Sequence, residues 1–336
     1  MHSMKRKNTS AQLLDNQLTN IYPNYKKFLD KHLKAKKFVI GVSGGSDSLA
    51  LVYLSKLYSQ ERKVKFEGII VDHGVRKGSD KEAKKVKQIL LKNKVKSHIF
   101  KIKFNNIKNF HSEARKKRYE KIISFCKKNR VKNILLGHHL DDQIENFYIR
   151  LSRGSGLTGL SPIKKVSNYK NLYFLRPLLN IKKQDLIKIS KKYFNFYVKD
   201  PSNFDDIYLR SRVRKLRSFM EREGFGDQRL LSTLNNLNKA SEALEFYSNS
   251  ATKKFIIKKS NSILISKKLF KEPYEVIFRS ISNFFTNNKD YPPRAKGIDR
   301  LITDLSNKNS KNVTLGGYIF ENGLNSVKVK KENRKR

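Results

Sequence analysis

Tryptophan is absent from this chain of 336 residues, and cysteine occurs once, at Cys126. A single cysteine cannot close an internal disulfide, complete a Cys-x-x-Cys metal site or form a persulfide beside a resolving thiol. Cys126 lies on the apolar side of the helical pattern Ile122-Ile-Ser-Phe-Cys-Lys-Lys128 and is expected to be a buried structural thiol. Long apolar runs are missing too. No stretch reaches the 18 or so residues that a membrane-spanning helix needs, so none is expected. The start, Met1-His-Ser-Met-Lys-Arg-Lys-Asn8, is basic and leads into polar sequence rather than the apolar segment of a secretory leader. A cytoplasmic location is the default expectation. Acidic residues are scarce: 29 Asp and Glu stand against 74 Lys and Arg, a formal net charge of +45. Such a field attracts polyanions and speeds their encounter. The lysine excess is spread over the whole chain among abundant Asn, Ile, Phe and Tyr. AT-rich coding would give that mixture unaided, so charge alone supports nucleic-acid binding only moderately.

What is there is a chain of two-domain length with 38% hydrophobic residues, enough for ordinary cores. The β-branched run Lys37-Phe-Val-Ile-Gly-Val42 predicts a strand, and 47–58 a mostly buried helix. A second strand is expected over 66–71, a helix over 80–93 with Ala83, Val86, Ile89 and Leu90 on one face, and a strand over 95–102. A helix over 111–129, a strand over 133–137 and a helix over 141–152 complete the series. Short strands alternating with helices build a parallel sheet covered on both faces through right-handed crossovers. Ligands of such sheets sit beyond the carboxyl ends of the strands. The alternation fades after about 185, residues 205–247 look helical and basic, and strand signals return near 255 and 262. The expected organisation is a basic lead-in over 1–20, a catalytic domain over 21–215, a smaller helical or α+β domain over 216–330 that binds RNA, and a basic tail over 331–336.

Three polar clusters fall at the expected sheet edge. Ser43-Gly-Gly-Ser-Asp-Ser48 sits between a strand and a helix. Its glycines allow a sharp turn that presents successive N–H groups to an anion, and the helix start adds partial positive charge. Ser43, Gly44, Gly45, Ser46 and Ser48 are therefore candidates for holding phosphates. Asp47 would repel a phosphate unless a Mg²⁺ lies between them. No Gly-Lys-Ser/Thr follows, so this is not a Walker loop. A plain Gly-Ser turn with Asp47 capping the helix is the bland alternative. In Val71-Asp-His-Gly-Val-Arg76, Asp72 and His73 close the second strand. In Gly137-His-His-Leu-Asp-Asp-Gln-Ile-Glu-Asn146, Asp142 and Glu145 share a helical face. An acidic first turn is also ordinary capping, but His138 and His139 beside it suit amine recognition and proton transfer. Within the helical pattern over 111–129, Glu113-Ala-Arg-Lys-Lys-Arg-Tyr119 places Arg115 and Arg118 on one face, a solvated basic stripe or a phosphate contact. Arg153-Gly-Ser-Gly-Leu-Thr-Gly-Leu160, Leu175-Arg-Pro-Leu-Leu179, Asp200-Pro-Ser-Asn203 and the triplet Arg210, Arg212, Arg214 follow.

Ser-Gly-Gly-x-Asp-Ser resembles the signature of the PP-loop, or N-type ATP pyrophosphatase, superfamily. The whole ordered set, over roughly 37–214, resembles one branch of it, the tRNA(Ile)-lysidine synthases. Val313-Thr-Leu-Gly-Gly317 is similar, more weakly, to that family's C-terminal region. Asn146 stands where the family usually has Thr, and Ser211 where Asn is common; both replacements are small and polar. The extra C-terminal domain of longer members is expected to be absent.

The resemblance implies a PP-loop α/β fold and a ligase. It would join L-lysine to C2 of the wobble cytidine of the CAU-anticodon tRNA(Ile), with ATP giving AMP and pyrophosphate through an adenylated cytidine. It implies ATP contacts at 43–48, Asp72 and His73, and a Mg²⁺ near Asp47. Arg115 and His138 would face the α-phosphate, Asp142 and Glu145 would hold the lysine ammonium, and Arg210, Arg212 and Arg214 would meet tRNA. The sequence leaves the oligomeric state open, with a homodimer the assembly to test. Two other functions compete: thiolation of tRNA, disfavoured by the lone cysteine, and a non-catalytic RNA-binding module on a decayed PP-loop fold, disfavoured by intact Asp47, Asp142 and Glu145. A small-molecule amidotransferase would need an ammonia source that the sequence does not display.

Overall fold

The computed structural model describes residues 18–74, 78–102, 110–198, 209–259, 262–288, 293–307 and 312–332. Arg76, the Asp200-Pro-Ser-Asn203 motif, most of the basic lead-in and most of the basic tail lie outside them. The chain divides into two units, one of residues 1–156 and 162–231, the other of residues 157–161 and 232–336.

In the first unit a helix, α1, covers residues 18–32. It is followed by β1 (Lys37–Val42), α2 (Ser46–Arg62), β2 (Lys65–Asp72), α3 (Ser79–Lys92), β3 (Ser97–Lys101), α4 (Phe110–Lys128), β4 (Asn133–Leu135) and α5 (Leu140–Leu151). These are the alternating elements that the apolar periodicity predicts. The sheet runs β3-β2-β1-β4-β6-β5, where β5 (Val166–Tyr169) and β6 (Leu172–Leu175) form a hairpin that the periodicity does not reveal. All pairings are parallel except β5 on β6, so β5 is an antiparallel edge. The hairpin turns on Lys170 and Asn171, both at positive φ. Central β1 is buried between β2 and β4 and reads as a continuous apolar run, as a strand covered on both faces must.

One face of this sheet is closed by α2, with Leu49, Leu51, Val52 and Leu54 buried among β-strand residues such as Phe38 and Ile40. Because α2 is apolar almost all round, it needs cover on its outer side as well. That cover comes from α1 and from α7 (Lys183–Phe194), whose Tyr193 ring stacks on Tyr53 with centroids 3.5 Å apart. The opposite face is closed by α4, which lays Ile122, Ile123 and Cys126 on Val39, Ile69, Ile134 and Phe174. Cys126 is fully buried, and that burial pushes its thiol up to about 12. The unit ends with α8 (Leu209–Arg222), whose Val213 packs on Leu140, Ile144 and Tyr148 of α5.

The second unit takes most of the long α9 (Asp227–Phe255), then β7 (Ile256–Lys258), β8 (Ile263–Ser266), α10 (Tyr274–Asn288), α11 (Ala295–Ser306), β9 (Asn312–Leu315), β10 (Tyr318–Asn322) and β11 (Ser326–Lys331). Its sheet is wholly antiparallel, ordered β7-β8-β11-β10-β9. The helices close one face of it over Phe284, Phe285, Tyr318 and Phe320. This unit also contains residues 157–161, including the one-turn helix α6 (Leu157–Leu160). There Thr158 Oγ1 accepts a 2.8 Å hydrogen bond from the nearly buried Arg279. The glycine-rich stretch 153–160 thus carries the chain from one unit to the other. Among the described residues no helix is long and apolar enough to cross a membrane.

The feature that positions the site is the approach of the end of β4 to the start of α2. A Cβ on Gly137 would lie 3.3 Å from the backbone C and O of Asp47 and from the N of Ser48. Only glycine lets the two segments meet this closely. Gly44 has φ +85, and a Cβ there would come within 2.5 Å of Val86 Cγ2. Gly137→Ala is expected to cost about 1–3 kcal/mol in urea denaturation, because the new methyl meets main chain rather than a yielding side chain. ATP affinity should fall with it; a variant matching the parent in both would mean that the approach is not tight.

Candidate active site

The loop 43–48 is braced by its own hydroxyls. Ser48 Oγ donates to Gly45 O at 2.9 Å, Ser46 Oγ donates to Asp47 Oδ1 at 2.9 Å, and Ser43 Oγ reaches Ser48 Oγ at 3.3 Å. From α7, the buried Ser190 donates to Ser46 O at 2.5 Å. Gly45 is extended, and α2 begins at Ser46, so the unsatisfied N–H groups of its first turn open at this loop. At the end of neighbouring β2, Asp72 is buried and its Oδ1 accepts from Gly74 N at 3.0 Å, which fixes the turn. His73 follows; burial, with Arg118 adding to it, drives its imidazole down to about 4.

The end of β4 leads straight into α5. Its first turn is pinned by Leu140 N to Ile181 O at 3.0 Å, by Gln143 Nε2 to Leu179 O at 3.0 Å, and by Lys183 N to Asp141 Oδ2 at 2.9 Å. His139 occupies the cap position, and its N–H donates to Asp142 Oδ2 at 3.1 Å. Its ring is 2% exposed and has three carboxylates around it. Nε2 lies 3.5 Å from Asp47 Oδ2 and 3.5 Å from Asp142 Oδ2, and Nδ1 lies 3.5 Å from Asp141 Oδ2. Burial pushes the imidazole down, but close contact with Asp141 and Asp47 and the charge of Asp142 outweigh it and lift it to about 9. At neutral pH His139 is therefore an imidazolium. Burial likewise opposes ionisation of Asp47 and Asp141, yet His139 and the other cationic groups around each keep both below the usual carboxylate range.

His138 behaves in the opposite way. Burial carries it down to about 4, and the charges of Arg176, Arg115 and Arg210 work in the same direction against Asp142. It stays neutral, with its Nδ1 buried and without a hydrogen-bond partner among the described residues. Two adjacent histidines thus differ in charge because close carboxylates outweigh burial at His139, whereas at His138 burial prevails.

Asp142 and Glu145 do share a helical face, but they are not vacant. Arg210 donates to Asp142 Oδ1 at 3.1 Å and lies 2.7 Å from Glu145 Oε2; Arg214 Nε donates to Glu145 Oε1 at 2.5 Å. Glu145 is 2% exposed and Asp142 15%. One turn on, Arg217 joins Asp141 to Asp227, each at 2.5 Å. The spacing 210, 214, 217 puts these arginines on one face of α8. Arg210 and Arg214 thus pair with α5, although Arg210 stays about half exposed, and Arg212, between them, is exposed on α8. Arg115 lies on exposed α4 surface, its guanidinium 5.3 Å from the centre of the Tyr119 ring. Asp47, Asp142, Glu145, Arg210 and Arg214 form one connected set through His139 and their ion pairs, and the charges of Asp142, Arg115 and Arg210 act on His138 beside it, whereas Asp72 and His73 lie outside that set. Those two stand at the next strand end.

Sequence reasoning set His139 beside His138 as suited to proton transfer but gave it no role of its own, and quoted Gly137 only as part of its motif. Adjacent histidines cannot be told apart by spacing, and the role of Gly137 depends on a contact far removed in sequence, with Asp47 and Ser48. No group of three or more His, Cys, Asp or Glu suited to a metal ion occurs among the described residues. The lone loop carboxylate, Asp47, fits a small divalent cation that keeps its waters and takes its other ligands from phosphates.

Comparison with known proteins is consistent with this geometry. The PP-loop domain family model matches residues 17–218. A tRNA(Ile)-lysidine synthase from Wolbachia sp. subsp. Brugia malayi is 32% identical over 314 residues, covering 89% of this chain and 71% of the relative. One from Orientia tsutsugamushi is 38% identical over 185 residues, 55% of this chain and 42% of the relative. Among solved structures, a U34-tRNA thiolase from Methanococcus maripaludis shares the fold, with a TM-score of 0.56 at 19% identity over 68% of this chain and 80% of that one.

The charged His139 sets a stability signature. Its folded pKa of about 9 exceeds the ordinary 6.5, so its contribution is complete below about pH 6.5 and is lost as pH rises through 9. In the nucleotide-free protein this amounts to an upper bound of about 3 kcal/mol. Denaturant titrations from pH 6 to 9.5 should show that decline, and His139→Gln should be less stable at pH 6 and flatter with pH. Parallel profiles for variant and parent would contradict an imidazolium at this position.

Proposed function

This chain belongs to the tRNA(Ile)-lysidine synthase family of PP-loop proteins and is an ATP-dependent ligase of tRNA modification; from that premise we propose that it joins L-lysine to C2 of the wobble cytidine of the CAU-anticodon tRNA(Ile). The observation that carries the proposal is the contact of Asp47 and Asp142 with one imidazolium, which joins an anion-binding loop to an acidic helix start at the same rim.

The C2 oxygen of cytidine is a poor leaving group. Attack by that oxygen on the α-phosphorus of ATP expels pyrophosphate and makes the oxygen part of an adenylate. The loop 43–48 and the start of α2 hold the phosphates through N–H and hydroxyl donors, as suits a reaction governed by positioning and charge. A Mg²⁺ held at Asp47 would supply charge neutralisation on the polyphosphate. Arg115 and neutral His138 offer donors to the α-phosphate oxygens as charge develops there. The lysine ε-amine then forms the new C–N bond at C2, AMP departs with the oxygen, and one proton must leave the nitrogen.

Free lysine carries its proton at neutral pH, its pKa being about 10.4, so the site must bind an ammonium and then accept the proton. Asp142 is partly accessible and suits both roles. Glu145 is buried under Arg210 and Arg214 and suits holding those arginines. In the free protein the guanidinium of Arg210 occupies Asp142 Oδ1, the place the substrate ammonium would take. Lysine binding would therefore displace Arg210 and release its charge toward RNA.

Thiolation fits poorly despite the shared fold. Cys126 is sealed in the core under α4, and its thiol is held protonated.

The test is incubation with ATP, labelled lysine and the CAU-anticodon tRNA(Ile), followed by mass analysis of the wobble nucleoside. A lysine-dependent mass gain with stoichiometric pyrophosphate is expected. Pyrophosphate release without that gain would sink the proposal. Asp47→Ala should abolish turnover while tRNA affinity changes less than about threefold, since the residue serves phosphates and not the RNA. Loss of tRNA binding in this variant would place Asp47 elsewhere in the mechanism.

A further inference from the structure

The motif Leu175-Arg-Pro-Leu-Leu179 has no part in the mechanism above, although it lies at the rim. Leu175 ends β6, the strand beside β4, and Leu178 and Leu179 are buried. Arg176 stands between these anchored leucines. Its Nη1 donates to Lys164 O at 2.9 Å and to Ser167 Oγ at 3.0 Å, so the guanidinium is fixed on the β5 side. Its Nε is buried and has no hydrogen-bond partner among the described residues. Tyr119 of α4 is bonded to Arg176 and also receives Arg115, Nη2 to Oη, at 3.5 Å. The Tyr119 ring lies on Phe174 of β6, with centroids 5.5 Å apart, which keeps the phenol at the sheet edge.

Two guanidinium groups thus converge on one phenol. Among the described residues the charges that act on Arg176 are those of Tyr119 and of Arg115, with no carboxylate. Arg118, exposed on α4, likewise has Tyr119 and Arg115 as the charges that act on it. This contrasts with the other side of His138, where Arg210, Arg214 and Arg217 are each matched to carboxylates. A fixed guanidinium near a second one, with a spare buried donor and no counter-ion, is matched by an anion with several acceptor oxygens.

We infer that Arg176, with Tyr119 and the flank of Arg115, binds a backbone phosphodiester of the RNA beside the nucleotide being modified. Arg176 here is a binding residue for the polymer, distinct from the loop that holds the ATP phosphates. Position favours RNA over nucleotide. The ATP loop follows β1, and Arg176 follows β6, two strands away, roughly 10 Å at the usual strand spacing. A base drawn into the pocket brings its own flanking phosphates to the rim, whereas a triphosphate seated on 43–48 is already matched to the start of α2.

The inference depends on the tRNA-modifying function proposed above, and the two fail separately. If the parent protein forms no lysidine, the function fails. If the parent is active but Arg176 variants bind tRNA as it does, only this inference fails. The experiment measures tRNA affinity against salt, and ATP affinity without RNA, for the full chain and for Arg176→Gln and Arg176→Lys. Arg176→Gln should weaken tRNA binding about tenfold and reduce the slope of log K against log salt by about 1, with ATP affinity unchanged. Arg176→Lys should keep the slope but weaken tRNA binding a few-fold through loss of the fork. Should Arg176→Gln fail to fold, because it releases Lys164 O, the lysine variant decides alone: unchanged tRNA affinity overturns the inference. A parallel loss of ATP affinity without RNA also overturns it, because the guanidinium would then serve the nucleotide.

Discussion

A buried imidazolium, His139, is the interaction on which the rest of the site depends. It neutralises charge where Asp47, Asp141 and Asp142 converge, three carboxylates that would otherwise repel one another in a poorly solvated place. The three anchor different parts of the molecule. Asp47 belongs to the Gly-Ser loop, Asp142 to the first turn of α5, and Asp141 holds the start of α7 and Arg217 of α8. One ring therefore sets the relative position of three elements. Buried ion pairs are weak contributors to net stability, since desolvation cancels much of their attraction. Their value here is geometric: losing one partner leaves an unmatched charge, which penalises any arrangement but this one.

Around that ring one side of the rim is charge-balanced and the other is cationic. On the α5–α8 side, Asp47, Asp141, Asp142 and Glu145 are interleaved with His139, Arg210, Arg214 and Arg217. On the α4–β6 side, Arg115 and Arg176 both meet the Tyr119 phenol, and their charges act on neutral His138. The exposed half of Arg210 lies on the divide.

Much of this could be read from the sequence. Strong periodicity marked β1, α2, β2, α3 and β4, and the Gly-Ser loop announced itself by composition and context. Asp142 and Glu145 share a face because helical spacing demands it. Other features escaped because they depend on tertiary contacts. The β5–β6 hairpin is short and its edge strand half exposed, so its pattern, Val-Ser-Asn-Tyr, carries little apolar signal. The carboxylate partners of Arg210 and Arg214 went unread because spacing cannot show which way a helix faces when those partners lie on a helix far upstream. The close packing of Gly137 on Asp47 involves an absent side chain, which no pattern of residue types discloses.

The short excursion of residues 157–161 bears on how separable the halves of this protein are. The backbone passes between the units at 156–157, at 161–162 and again at 231–232. A chain stopped at 231 would keep Thr158 but lose Arg279 that grips it, and a fragment begun at 232 would lack that threonine. Neither half is a self-contained module to be swapped or expressed by a single cut in the gene. The chain first enters the smaller unit shortly after the helix that carries Asp142.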